Sequence, residues 1–448
     1  TFGQDNSQQE TSPKKTKTGW NLGVLPSVSY DADLGFQYGA LTNIYNYGDG
    51  KIYPEYYHSI YLEASYTTKR NGTFRASYDS RYLIPNHRFT VDITYIPDAM
   101  WDFYGFNGYT SVYQSDWHDD SNKDGKYVSR AFYKNNRKLF RTSIDIDGKI
   151  ANNLNWNAGI GILNYNIKNV DVDFLNKGKS EENMLPHTDG LYQKYIDWNV
   201  IKPNEMNGGF HPYIHLGLTY DSRDITACPT KGIHADAFFT YNAAFKEQKE
   251  YNNLKFNFNF RHYIPLYRNK VVFAYRLSTQ NTIAGKSPFY LNTFHNTIFF
   301  KRAIYEALGG SNSLRGISRN RILSEGFALA NVELRLRIFD FTIGKQFFYI
   351  GLNPFIDMGM VTQAYDLNEV DIQQAIDHNN SVKGIDDRIE DYFNFDKSLV
   401  HKPHISGGLG LKAAMNENFI LSVDCATPFN EQDNSNKVNI YIKIGYLF

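Results

Sequence analysis

Apolar and polar residues trade places at every second position along much of this chain. In LKFNFNFRHY, residues 254–263, Phe256, Phe258 and Phe260 fall on one side of an extended backbone and Asn257, Asn259 and Arg261 on the other. In ALANVELRLRIF, residues 328–339, one set is Ala330, Val332, Leu334, Leu336 and Ile338, and the other is Asn331, Glu333, Arg335 and Arg337. A repeat of two belongs to a β-strand with two unlike faces. The pattern predicts about sixteen strands: 20–30, 34–45, 57–69, 73–83, 86–97, 138–150, 153–168, 211–223, 231–245, 251–263, 269–281, 327–338, 347–361, 404–416, 418–427 and 438–448. Residues 1–19 are nearly all polar and read as a disordered tail, leaving 20–448 as a single β domain.

One strand cannot say whether its apolar face meets a second sheet or lipid. The connections can. Long ones, near 98–137, 168–210, 282–326 and 362–403, follow odd-numbered strands, whereas turns such as IPN, IPLYRN and NEN follow even-numbered ones. A soluble sandwich has no reason to sort its loops by parity, and a membrane barrel does. The expectation is an all-β fold, a 16-stranded antiparallel transmembrane β-barrel in the cell outer membrane, with its N-terminal tail in the periplasm.

Composition agrees. Aromatic residues make up 16% of the chain, with 34 Tyr and 32 Phe, yet polar residues are frequent enough for an overall hydrophilic balance. Apolar residues facing lipid and polar ones lining a lumen produce that combination. No window approaches the 18 uncharged apolar residues of a membrane-spanning helix. The formal charge is zero, from 47 basic and 47 acidic residues, which argues against a nucleic-acid binder. TFGQDNSQQE at the start reads like a terminus left by signal cleavage. In VNIYIKIGYLF, Val438, Ile440, Ile442, Ile444, Tyr446 and Phe448 make one apolar face up to the last residue.

Candidate chemistry is sparse. DDSNKDGKY places Asp120, Asn122 and Asp124 at the spacing of a calcium loop, but Ala131 stands where the bidentate acid belongs, so a solvated turn competes with a weak metal site. His401 and His404 lack further ligands, and IDDRIEDYF, residues 385–393, reads as charged, solvated loop. Cys228 and Cys425 lie in a turn and a strand, and spacing does not pair them. No Gly-x-Ser-x-Gly elbow, Cys–His pair or zinc motif appears, and nothing points to a cofactor; the chain is not expected to be an enzyme.

The remaining anomaly is LGGSNSLRGIS, residues 308–318, in the sixth long-side loop. Gly309 and Gly310 suit a sharp bend. A strand rather than a helix follows, so phosphate binding does not fit. At this position Leu314-Arg315-Gly316-Ile317 resembles the Val-Arg-Gly-Phe/Tyr loop motif of the BamA/TamA superfamily of outer-membrane assembly and translocation barrels. FIDMG supplies Phe355, Asp357 and Gly359 on the thirteenth strand, matching that family's Phe-x-Asp-x-Gly pattern, and Glu333 lies inward on the twelfth.

The resemblance implies that the long loop folds into the lumen and is latched by Arg315 on Glu333 and Asp357. Ile317 replaces the usual aromatic residue, which puts stacking at the loop tip in doubt. Tyr446 and Phe448 resemble the C-terminal signal by which such barrels are recognised for assembly. Members usually carry POTRA domains ahead of the barrel, whereas fewer than twenty residues precede the first strand here. The expected function is insertion or translocation of unfolded outer-membrane proteins or other substrates, with a periplasmic or lipoprotein partner supplying capture. The alternative is a passive channel or platform subunit.

Overall fold

The computed structural model describes residues 16–121, 126–268, 270–293, 305–344, 346–416, 419–434 and 438–448. Its strand segments begin with β1 (Trp20–Pro26), β2 (Ser29–Asp31), β3 (Gly35–Asn46), β4 (His58–Thr67), β5 (Gly72–Ile84) and β6 (His87–Asp102). They continue with β7 (Lys134–Ala151), β8 (Leu154–Lys168), β9 (Phe210–Asp221), β10 (Gly232–Asn242), β11 (Asn253–Tyr267) and β12 (Val271–Gly285). The last are β13 (Gly326–Ile343), β14 (Gln346–Gln363), β15 (His404–Met415), β16 (Phe419–Pro428) and β17 (Asn439–Ile444).

Each segment from β2 to β17 pairs antiparallel with the next, and β17 returns to β2, which closes the sheet. β1 and β2 both pair with β3 and are two halves of one strand, so the barrel has sixteen strands. That first strand was expected to be continuous over 20–30. Pro26 has no N–H to continue a ladder, and the chain breaks at residues 27 and 28 before β2 resumes. No helix among the described residues is long and apolar enough to cross a membrane.

The two faces sort as their chemistry requires. Along β11, Lys255, Asn257 and Asn259 are buried, while Phe256, Phe258 and Phe260 point the other way. Along β13, Asn331, Glu333 and Arg335 are buried, and Val332 and Ile338 are exposed. Exposed apolar side chains on the outside suit lipid, and a closed ladder leaves few strand amides to desolvate there.

Several strand ends differ from expectation, and three have a visible cause. β6 runs to Asp102 rather than 97, and β13 to Ile343 rather than 338, each past a register shift at Asp98/Trp101 and Arg337/Phe339. A bulge resets side-chain parity, so the alternation fails although the ladder continues. β17 stops at Ile444 because Gly445 turns the chain at φ +93°. The outward face therefore ends with Ile444, and Leu447 and Phe448 are instead buried against Tyr263, Val272 and Ala274.

The long connections are folded. They contain α1 (Val172–Asn176), α2 (Leu191–Asp197), α3 (Glu369–Lys383) and α4 (Lys397–Val400). Asn368 caps α3 by accepting from the Val370 and Asp371 amides. Phe103, Phe106, Tyr195, Trp198, Phe289 and Phe393 join four of these connections in one buried aromatic core. Residues 385–393 are accordingly not a wholly solvated loop. Tyr392 and Phe393 are buried, and Asp387 accepts from Lys194 and Tyr392, because the neighbouring loops supply an apolar surface to dock on.

Candidate functional site: an arginine cluster at loop 6

The loop between β12 and β13, residues 286–325, is called loop 6. Its tip is a small closed unit. Leu308 and Ile322 exchange backbone hydrogen bonds at 3.1 Å, and the Gly310 amide donates to Ile317 O at 2.8 Å. Gly309 sits at φ +118°, where a Cβ would lie 2.0 Å from Ser318 O, and Gly310 also has positive φ. Leu308, Leu314, Ile317 and Ile322 pack with Phe327, Leu329 and Val361, which seats the tip on β13 and β14. Gly359 gives way to it: a Cβ there would stand 2.5 Å from Leu314 Cδ1.

This seating carries Arg315 to three carboxylates. Nε and Nη2 donate to Asp357 Oδ2 and Oδ1 at 2.8 and 3.0 Å, and the Arg315 amide adds a bond to Oδ2 at 3.0 Å. Nη1 lies 2.9 Å from Glu333 Oε1 and 3.6 Å from Asp424 Oδ2. The guanidinium also lies over the Phe355 ring, 3.4 Å from its centroid. A planar fork with fixed charge meets a carboxylate and a ring at once, and lysine cannot reproduce this. Arg315, Glu333 and Asp357 are all fully buried.

Sequence reasoning missed part of the cluster. Arg335, which entered above only as one residue of an alternating polar face, holds Glu333 Oε2 at 3.0 Å, and Lys412 holds Asp424 Oδ1 at 2.6 Å. Three acids thus face three cations in a space without water access, which makes their mutual pairing essential. The available signal was charge at inward positions of neighbouring strands. Ile317 is fully buried among aliphatic residues, so the expected aromatic position is an apolar contact here, and Phe355 provides the stacking.

The other candidates fall elsewhere. Tyr446 and Phe448 lie inside: Arg335 Nη2 donates to Phe448 O at 2.7 Å, and its guanidinium stands 4.0 Å from the Tyr446 ring centroid. Asp120 pairs with Arg130 at 3.1 Å, while Asn122 and Asp124 lie outside the described residues. His401 bonds Val361 O, and His404 stacks on Tyr109 and bonds Asp433. Cys228 and Cys425 are both free thiols, one buried and one exposed.

Loop 6 also touches the far wall. Arg319 Nη2 and Nη1 reach Asp98 and Asp102 of β6 at 2.7 and 3.1 Å. In the connection between β8 and β9, Glu205 accepts from the Phe289 and Lys202 amides at 3.0 and 3.2 Å, and burial pushes its carboxyl up to about 7.

Residues 57–448 match the Omp85 superfamily domain. Among solved structures, BamA from Haemophilus ducreyi lacking POTRA domains 1–3 aligns with a TM-score of 0.55 at 16% identity, over 95% of this chain and 70% of that one. CdiB from Escherichia coli aligns with a TM-score of 0.53 at 9% identity, over 96% of this chain and 62% of its own, so this chain spans less than two thirds of that relative. At these identities the likeness is one of fold. No curated protein matches the sequence.

Proposed function

Because the chain belongs to the Omp85 superfamily of outer-membrane barrels, we propose that it inserts or translocates polypeptide at the outer membrane through a seam that opens between its first and last strands. The observation that carries this reading is how little holds that seam. Among the described residues, β17 meets β2 in two register pairs, Tyr441 with Asp31 and Ile442 with Tyr30. The β13–β14 ladder, by contrast, runs from Gly326–Gln363 to Ile343–Gln346.

The cost of parting two strands grows with the number of backbone pairs left unmade, so a seam of two pairs parts far more readily than the β13–β14 ladder. Among the described residues β1 pairs with β3 alone, which leaves its other edge without a strand partner there, and such an edge is a template for an incoming strand. Its residues are exposed on both faces, which suits a strand waiting for a partner. The substrate class is an unfolded outer-membrane protein or a segment to be exported, and a periplasmic or lipoprotein partner would assist its capture.

Loop 6 is read here as lying in the lumen and acting as a latch, since it touches β6 and β14, on opposite sides of the closed sheet. That placement weighs against the alternative of a passive channel, because the same loop and the aromatic core of the long connections occupy the path an ion would take.

The test is a reversible lock. Tyr30→Cys with Ile442→Cys, in a Cys228→Ser, Cys425→Ser background, places thiols on antiparallel register partners, a spacing a disulfide can span. In proteoliposomes the oxidised protein should fail to accelerate folding of a denatured β-barrel substrate, and reduction should restore it. Equal rates in both redox states would remove the seam from the mechanism, and steady ion conductance without acceleration would favour the passive channel.

A further inference from the structure

Arg315 is not the only anchor of loop 6, and its partners all lie on one side of the seam, on β13, β14 and β16. Four residues later the loop turns to the other side. Besides Asp98 and Asp102, Arg319 Nε holds Glu306 Oε1 at 2.7 Å, and its guanidinium is almost completely buried. The Arg319 amide donates to Asp33 Oδ1 at 3.3 Å. Asp33 sits in the turn joining β2 to β3, which is the first-strand lip of the seam.

The same stretch grips the last-strand lip. The Gly316 amide donates to Tyr441 Oη at 3.1 Å, Asn439 Nδ2 donates to Gly316 O at 3.2 Å, and Lys443 Nζ donates to Ser311 O at 2.8 Å. All three partners belong to β17, and Tyr441 is itself one of the two residues of β17 paired with β2.

We propose that residues 311–319 form a clamp that bridges the seam from within, β17 on one side and the β2–β3 turn on the other, with Arg319 as the positioning residue that sets the clamp against the first-strand lip. The inference rests on the reading that the seam opens, and it adds what keeps it shut. Arg319 is suited to the task because Asp98 and Asp102 belong to β6, which is joined to β3 by the ladders of β4 and β5. The first-strand lip and the far anchor therefore move together as one sheet. The link is short, since Asp33 and Arg319 touch directly. Without the Arg319 side chain the loop would lose its ion pairs to β6, while Arg315 would still hold it to β13 and β14.

The test uses the full-length protein and cross-linking yield of the Tyr30→Cys/Ile442→Cys pair as a measure of seam closure. Tyr95→Cys/Phe140→Cys, outward register partners on β6 and β7, serve as the control for general loosening. Arg319→Gln should lower the seam yield about fivefold or more relative to the control pair, the size expected when two coupled contacts are separated. Asp33→Ala, a change in a short turn, should do the same and carries the test alone should Arg319→Gln not fold. A seam-to-control ratio equal to that of the parent in the folded variants would overturn the clamp. The outcome is separate from substrate folding, because a barrel that accelerates nothing can still show the shift in ratio.

Discussion

Removing the Arg315 side chain tests the latch most directly, because its three acids do not depend on it equally. After Arg315→Ala, Glu333 would keep Arg335 at 3.0 Å and Asp424 would keep Lys412 at 2.6 Å. Asp357 would keep the residue 315 amide at 3.0 Å but no ion-pair partner among the described residues. One buried carboxylate is stranded, and breaking a buried pair from one side costs about 3–5 kcal/mol. The strand ladders are untouched, so the loss should appear as release of loop 6 before the barrel unfolds. At about 1.4 kcal/mol per factor of ten, the released fraction rises roughly a hundred- to several-thousandfold.

Limited proteolysis within residues 305–325 measures that fraction, and the temperature at which the folded band disappears on a gel measures the barrel. Arg315→Lys keeps the charge but not the fork on Asp357, and Asp357→Asn leaves Arg315 facing Glu333 and Asp424. Both should fall between the parent and Arg315→Ala. If Arg315→Ala is cleaved at the parental rate and melts with the parent, the cluster does not hold the loop, and the latch reading is wrong.

Two further predictions concern the bend and the long connections. Gly316 has φ +89°, and a Cβ there would lie 3.0 Å from the Thr427 amide nitrogen, so Gly316→Ala should cost about 1–2 kcal/mol and raise loop cleavage roughly tenfold; an unchanged rate would mean the bend does not constrain the tip. Glu205 is held at about 7 against an ordinary value of 4.5, so the folded state binds its proton more tightly than the unfolded state does. Its stabilising effect is present at low pH and is lost as pH rises through that window. The melting difference between parent and Glu205→Ala should therefore move against the parent from pH 5 to pH 8, and a constant difference would contradict the assignment.

Most of the barrel was legible because lipid and a polar interior demand opposite chemistry on alternate residues, and sixteen strands follow from that alone. The signal failed where the demand lapses. At Asp98/Trp101 and Arg337/Phe339 a bulge changes parity, and at Gly445 a single positive φ redirects a sequence that still alternates. Arg315, Asp357 and Glu333 could be named because motif and strand position coincide. Asp424 and Lys412 could not be singled out, since an inward charge on a strand looks the same whether it faces water or an arginine. Arg319 was hidden for another reason: its partners Asp98, Asp102 and Asp33 are more than two hundred positions away, and no local pattern links them.

The distribution of bonding matters more than its total. In lipid every unpaired backbone group costs several kcal/mol, so a barrel maintained for stability alone would have no reason to leave β1, among the described residues, with one edge unpaired. The two pairs of the seam and the buried cluster at loop 6 are both small beside the β13–β14 ladder. A strand adding along the seven residues of β1 would supply more backbone bonds than the two pairs of the seam it displaces. The cluster differs from the seam in kind, because a bidentate pair holds over a narrow range of geometry and releases abruptly when displaced. On the proposed reading, a loop fixed to both lips makes opening a two-state event, in which a substrate strand must displace the seam and the clamp together rather than fray one pair at a time.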